Sequence, residues 1–170
     1  MVGYPTPCTP RQKNILGTGG PTHGPPGVGW SADLWKGHTA YQSGDYATAL
    51  HEWKSLAKQG IANAQYNLGV LYQQGHGVPQ DDKTAVKWWR LAAEQGDADS
   101  QTNLGVMYAD GEGVLKDYVY THMWGSIGAS NGSENGGKLR DFVATKMTPT
   151  QIADAQKLAR EYVRKYYKGC

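Results

Sequence analysis

An internal repeat constrains this chain more than any other feature. Ile61–Gly96 and Asp97–Gly132 align without a gap at a shift of 36 residues. Gln65, Asn67, Leu68, Gly69, Val70, Tyr72, Gly75, Gly77, Val78, Asp81, Trp88, Ala93 and Gly96 recur as Gln101, Asn103, Leu104, Gly105, Val106, Tyr108, Gly111, Gly113, Val114, Asp117, Trp124, Ala129 and Gly132. A period of this length describes a unit that cannot bury its apolar face alone and must stack on its neighbours.

Each unit reads as two helices. Leu68, Leu71 and Tyr72 fall at i, i+3 and i+4 of a first helix, helix A, on which Gly69 leaves room for the close approach of a neighbour. Gly75 and Gly77 supply a permissive loop, Val78 plugs the gap between helices, and Asp81 is placed to cap the next helix. Ala85, Trp88, Trp89, Ala92 and Ala93 form the apolar stripe of that second helix, helix B, and Gly96 suits the left-handed position after it.

Ser31–Gly60 repeats the plan with a shorter connection: Gly37, Ala40 and Tyr41 on one helix, Gly44 and Asp45 at the turn, then Ala49, Trp53, Leu56 and Ala57. A further hairpin is expected after Gly132, with helices over about 134–147 and 149–167. Between them Thr148 and Gln151 make a capping box and Pro149 takes the first helical position. The organisation expected is thus a repeat domain over 31–170, with repeats at about 31–60, 61–96 and 97–132 and a capping hairpin at 133–167. Residues 1–30 carry Pro5, Pro7, Pro10, Pro21, Pro25 and Pro26 among many glycines and are expected to be a disordered tail.

Composition narrows the function classes. The 17 basic and 15 acidic residues give a net charge of +2, too little single-sign field to steer the chain to nucleic acid, so no nucleic-acid partner is expected. The two cysteines, Cys8 and Cys170, lie at opposite ends, which excludes a disulfide framework and a cysteine zinc site. No apolar run approaches the length of a membrane span, and residues 1–30 lack the apolar centre of a secretory signal. The expectation is a soluble protein, cytoplasmic as written, and periplasmic or secreted if the natural N-terminus carries a signal.

The segments NLGVLYQQGHGV, NLGVMYADGEGV, AVKWWRLAAEQG and AQKLAR resemble the Sel-one-like repeat family, the longer-looped relatives of tetratricopeptide repeats. The resemblance covers 31–167. It implies an all-α, right-handed superhelical solenoid of antiparallel helix hairpins, and a role as adaptor or scaffold, often in bacterial envelope proteins. Cysteine-rich members carry a cysteine pair in each repeat and many members begin with a secretory signal; this sequence has neither. Mapping the family's concave inner face onto this chain gives His38, Tyr41 and Gln42, then Tyr66, Asn67, Val70, Gln73 and Gln74, then Thr102, Asn103, Val106 and Asp110. That row offers aromatic area, amide groups and little charge, which suits an extended peptide or partner segment.

Catalytic signals are weaker. Ser55 and Lys58 match a Ser-x-x-Lys pattern and raise a β-lactamase-like or other hydrolase as an alternative, but the companion Ser-Asp-Asn and Lys-Thr-Gly elements are absent. The pair reads as a solvated helix face, and no enzyme is expected. His23, His38, His51, His76 and His122 show no ligand spacing, so no metal is expected. Gly17–Gly29 lacks the ending of a phosphate loop, so neither a nucleotide nor another cofactor is expected. Trp53, Trp88, Trp89 and Trp124 sit at or beside helix B core positions. A structural assembly subunit, packed through its repeat ends, is the remaining alternative.

Overall fold

A computed structural model describes residues 32–167. The expected tail and both cysteines lie outside the described residues. Those residues form helices α1 (Ala32–Gln42), α2 (Tyr46–Lys58), α3 (Ala62–Gln74), α4 (Asp82–Ala93), α5 (Ala98–Asp110), α6 (Tyr118–Ser130), α7 (Glu134–Ala144) and α8 (Pro149–Tyr166), and no strand occurs among them. The fold is an all-α helical-repeat solenoid. Through α7, each helix packs on the next in the chain.

Local chemistry sets the helix starts. Asp45, Asp81, Asp97 and Asp117 precede α2, α4, α5 and α6, and each side chain accepts a backbone N–H from the first turn. These bonds satisfy donors that the helix itself leaves open. Ser133 does the same for α7, and Thr148 and Gln151 complete the capping box of α8 with Pro149 inside it.

Close approach between helices is written in glycine. A side chain at Gly37 would run into the indole of Trp53, and one at Gly69 into that of Trp89. The indole N–H groups then reach the backbone of the facing helix: Trp53 Nε1 donates to the Leu34 carbonyl at 3.4 Å and Trp89 Nε1 to that of Tyr66 at 3.1 Å. Loop glycines set the stacking of one repeat on the previous one. Gly113, at φ +67°, would place a Cβ 2.6 Å from the carbonyl of Asp82, the first residue of α4. Gly77 meets Tyr46, the first residue of α2, in the same way.

The third unit departs from this plan. Gly125 stands where the second unit has Trp89, and the space admits α7: a Cβ on Gly125 would lie 2.9 Å from the Gly136 carbonyl. Trp124, one residue earlier, faces α8 and meets Tyr162 edge to face at 4.7 Å. The last two helices also differ from the hairpin expected of them. Helix α8 packs on α6 rather than folding back along α7. Its end reaches the α4–α5 junction, where the Tyr167 hydroxyl donates to the Ala93 carbonyl at 2.6 Å.

Candidate interaction surface

The expected inner row divides into three groups. Tyr41 packs its ring against Trp53 and Tyr46, and its hydroxyl donates to Gln74 Oε1 at 2.7 Å, a rung from α1 to α3. Tyr66, on α3, is half-buried. Burial, with Asp99 and Asp97 nearby, raises the pKa of this phenol, so Tyr66 stays neutral. His38 stacks on Trp35 with ring centroids 5.9 Å apart.

A second group is open to a partner. Gln42 and Asp110 are exposed, Val106 is 39% exposed, and Asn67 and Gln73 are half-buried. Val70 is half-buried and packs on the core from the same side.

Thr102 forms the third group alone, and the structure removes it from the accessible row. It is only 8% exposed; its hydroxyl donates to the Ala98 carbonyl at 2.9 Å and shares a hydrogen bond of 2.8 Å with the Ser133 hydroxyl, at the junction of α5 and α7. The cause lies in the third unit: Gly128 and Gly136 let α6 and α7 close directly over this side chain.

The polar residues that do the most inside the molecule were not in the expected row. Gln65 donates to the Ala57 carbonyl at 3.1 Å and accepts from Gln95 Nε2 at 2.8 Å. Thirty-six residues later, Gln101 donates to the Ala93 carbonyl at 3.1 Å and accepts from Asn131 Nδ2 at 2.9 Å. Each carboxamide thus joins the ends of three successive helices. Their recurrence was visible in the sequence; the signal that would have separated them from Asn67 and Asn103 is their place in the first turn of helix A, next to the preceding helix end.

Other candidates fall where a solvated surface would put them. Ser55 and Lys58 are exposed on α2, and the Ser55 hydroxyl accepts only from Gln59 Nε2, at 3.5 Å. Among the described residues no group of three or more His, Cys, Asp or Glu side chains could hold a metal ion, and no helix is long and apolar enough to cross a membrane. Two clefts open on the helix B side, of about 450 and 340 Å3: one along α4 from Lys83 to Glu94, the other between α4, α6 and α8.

The profile of the Sel1 repeat matches residues 62–97 and 98–133, whose bounds follow the helix pairs α3–α4 and α5–α6. The chain carries two Sel1 repeats. The fold of this Sel1 repeat protein is similar to that of a protective antigen present in uropathogenic Escherichia coli strains and displaying an SLR fold, with a TM-score of 0.75 and 32% identity over 79% of this chain. It is also similar to a Sel1 repeat protein from Oxalobacter formigenes, with a TM-score of 0.64 and 25% identity over 76% of this chain. The chain spans 30% of the first of these structures and 55% of the second. No curated protein matches it.

Proposed function

We propose that this Sel1 repeat protein is a scaffold for protein interaction that holds an extended peptide or partner segment on its helix A face. The observation that supports this most is the rung from Tyr41 to Gln74, which ties α1 to α3 on this face. Side chains fixed before a partner arrives lose little further freedom on binding. On the same face, Asn67 and Gln73 supply amide donors and acceptors for a peptide backbone, while Val70 and Val106 supply apolar contact. Solenoids bind partners on such continuous faces because stacking lines up equivalent positions of successive repeats.

Panning a displayed peptide library against the immobilised chain, followed by titration of the selected peptide, tests it. Asn103→Ala and Val106→Asp should each weaken binding about tenfold, the scale of roughly 1.4 kcal/mol, with an unchanged circular dichroism spectrum. Lys87→Ala, on the α4 cleft, should bind as the parent does. A peptide whose affinity drops only with Lys87→Ala would place binding on the helix B side and end the proposal.

A further inference from the structure

Helix α4 carries a charge pattern that the repeat does not require. Lys83, Lys87 and Arg90 fall at i, i+4 and i+7, all exposed on one face, whereas one period later the same positions hold Val119, Met123 and Ser126. Like charges at these spacings repel along a helix, and Lys83 stands in the first turn, the end at which the helix dipole disfavours a cation. Little within the chain offsets this. Among the described residues Lys83 and Lys87 enter no ion pair, Arg90 donates to the Tyr108 hydroxyl at 3.1 Å, and the Asp81 carboxylate is held by the Thr84 N–H and hydroxyl.

The three cations line a cleft of about 450 Å3. Gly113 closes it at the start of α4, where the loop backbone lies against Asp82 and Lys83. Val86, only 5% exposed, forms its apolar base, and Leu91, 43% exposed, lines it beside the cations. Arg90 and Glu94 line this cleft and the next one, so the surface runs on to Tyr120, which is 39% exposed and stacks on Tyr108 at 5.0 Å. A row of cations beside apolar surface complements a segment that is acidic on one stripe and apolar on the next. The unbroken phosphates of a nucleic acid would meet Glu94 as well as the cations.

We propose that this cleft docks an acidic amphipathic helix of a partner protein, a second binding surface on the side away from helix A. Carboxylates at i and i+4 of such a helix rise about 6 Å along its axis, the same rise that separates Lys83 from Lys87. Two charge-assisted pairs therefore form in register, and they relieve the repulsion that α4 carries alone. The apolar stripe of the partner then falls on Leu91 and the Val86 base, as helices do in grooves. None of this rests on the reading of the helix A face.

The test uses the full chain and a synthetic peptide of about 18 residues, long enough to hold a helix, with glutamates at i and i+4 on one stripe, leucines on the next and alanines elsewhere. In 15N NMR titrations the amide signals of Lys83, Lys87 and Leu91 should shift, while those of Asn67 and Val106 on the helix A face stay still. Affinity should fall at least about tenfold when glutamine replaces the glutamates of the peptide, and again in the double variant Lys83→Glu/Lys87→Glu. Both lysines are exposed, so the variant should keep the circular dichroism spectrum of the parent. Lys54→Glu, an exposed change on α2, should bind as the parent does. A glutamine peptide that binds equally well overturns the proposal, as does a loss of affinity in Lys54→Glu as large as in the double variant, which would mean diffuse attraction. Shifts confined to helix A overturn it too. So does a chain that ignores the peptide yet binds phosphatidylserine vesicles or single-stranded DNA through Lys83 and Lys87, which would make the row a phosphate-binding surface.

Discussion

Asp97 combines two demands at one residue. Its carboxylate accepts the Ser100 N–H at 2.7 Å and caps α5, yet burial raises its pKa above the ordinary 3.8, with Asp99 adding to the rise and the Ser100 hydrogen bonds opposing it. A carboxyl that is raised on folding holds its proton more tightly in the native state, so its contribution to stability is fully present below about pH 3.8 and is lost as the pH climbs through the folded value. An asparagine side chain at this position would cap as well without the charge. Asp97→Asn should therefore melt higher than the parent at neutral pH, and the gap should close as both are titrated down into the carboxylate range. Thermal melts of the two proteins across that range check it; a gap that widens on acidification would refute the assignment. Residue roles of this kind were partly legible in the sequence. The capping aspartates could be read from their place before an apolar run. The desolvation of Asp97 could not, because it depends on the neighbouring repeat.

At the scale of elements, period and caps fixed the helices but not all their partners. An apolar stripe states that a face is buried without naming what covers it, and α8 shows the consequence. Its sequence suits a terminal hairpin, whereas Gly125 and Gly136 let α7 come so close to α6 that Trp124 faces the other way and α8 packs over it. The helix is then pinned at its far end by Tyr167, whose hydroxyl bonds both Gln101 Nε2, at 2.5 Å, and the Ala93 carbonyl. Burial pushes the Tyr167 phenol upward, so it remains a donor at any ordinary pH. Tyr167→Phe should cost about 0.5 to 1.5 kcal/mol in urea denaturation, the usual net value of a buried hydrogen bond. Amide exchange in α8 should accelerate more than in α2, which the hydroxyl does not touch. Equal acceleration in both helices would show that α8 is not held separately at this point. The same reasoning explains the burial of Thr102: it occupies the helix A position where the second unit has the half-buried Tyr66, and in the third unit α7 closes over it.

Among the described residues the core divides into two apolar clusters, and α4 is the element that joins them. One cluster gathers Leu34, Trp53, Leu68 and Leu71 from the first helices, with Trp88 packed against it; the other gathers Trp89, Leu104, Met107, Trp124 and Tyr167. Adjacent residues on a helix point about 100° apart, so the pair Trp88-Trp89 sends one ring to each cluster. In a stacked array the coupling between units decides whether it unfolds as one body. Trp89→Ala removes a ring that is 3% exposed, held by its N–H to Tyr66, and should cost about 3 to 5 kcal/mol. Trp88, half-buried at the edge of its cluster, should cost less. Because Trp89 sits at the seam, its loss should also weaken the joint between the clusters. Unfolding of Trp89→Ala followed in parallel by far-ultraviolet circular dichroism and by the fluorescence of the remaining tryptophans should then give two curves that no longer coincide, whereas the parent and Trp88→Ala give one. Coincident curves in all three proteins, with Trp89→Ala merely shifted, would mean that the clusters are coupled by the Gln65 and Gln101 hydrogen bonds rather than through α4.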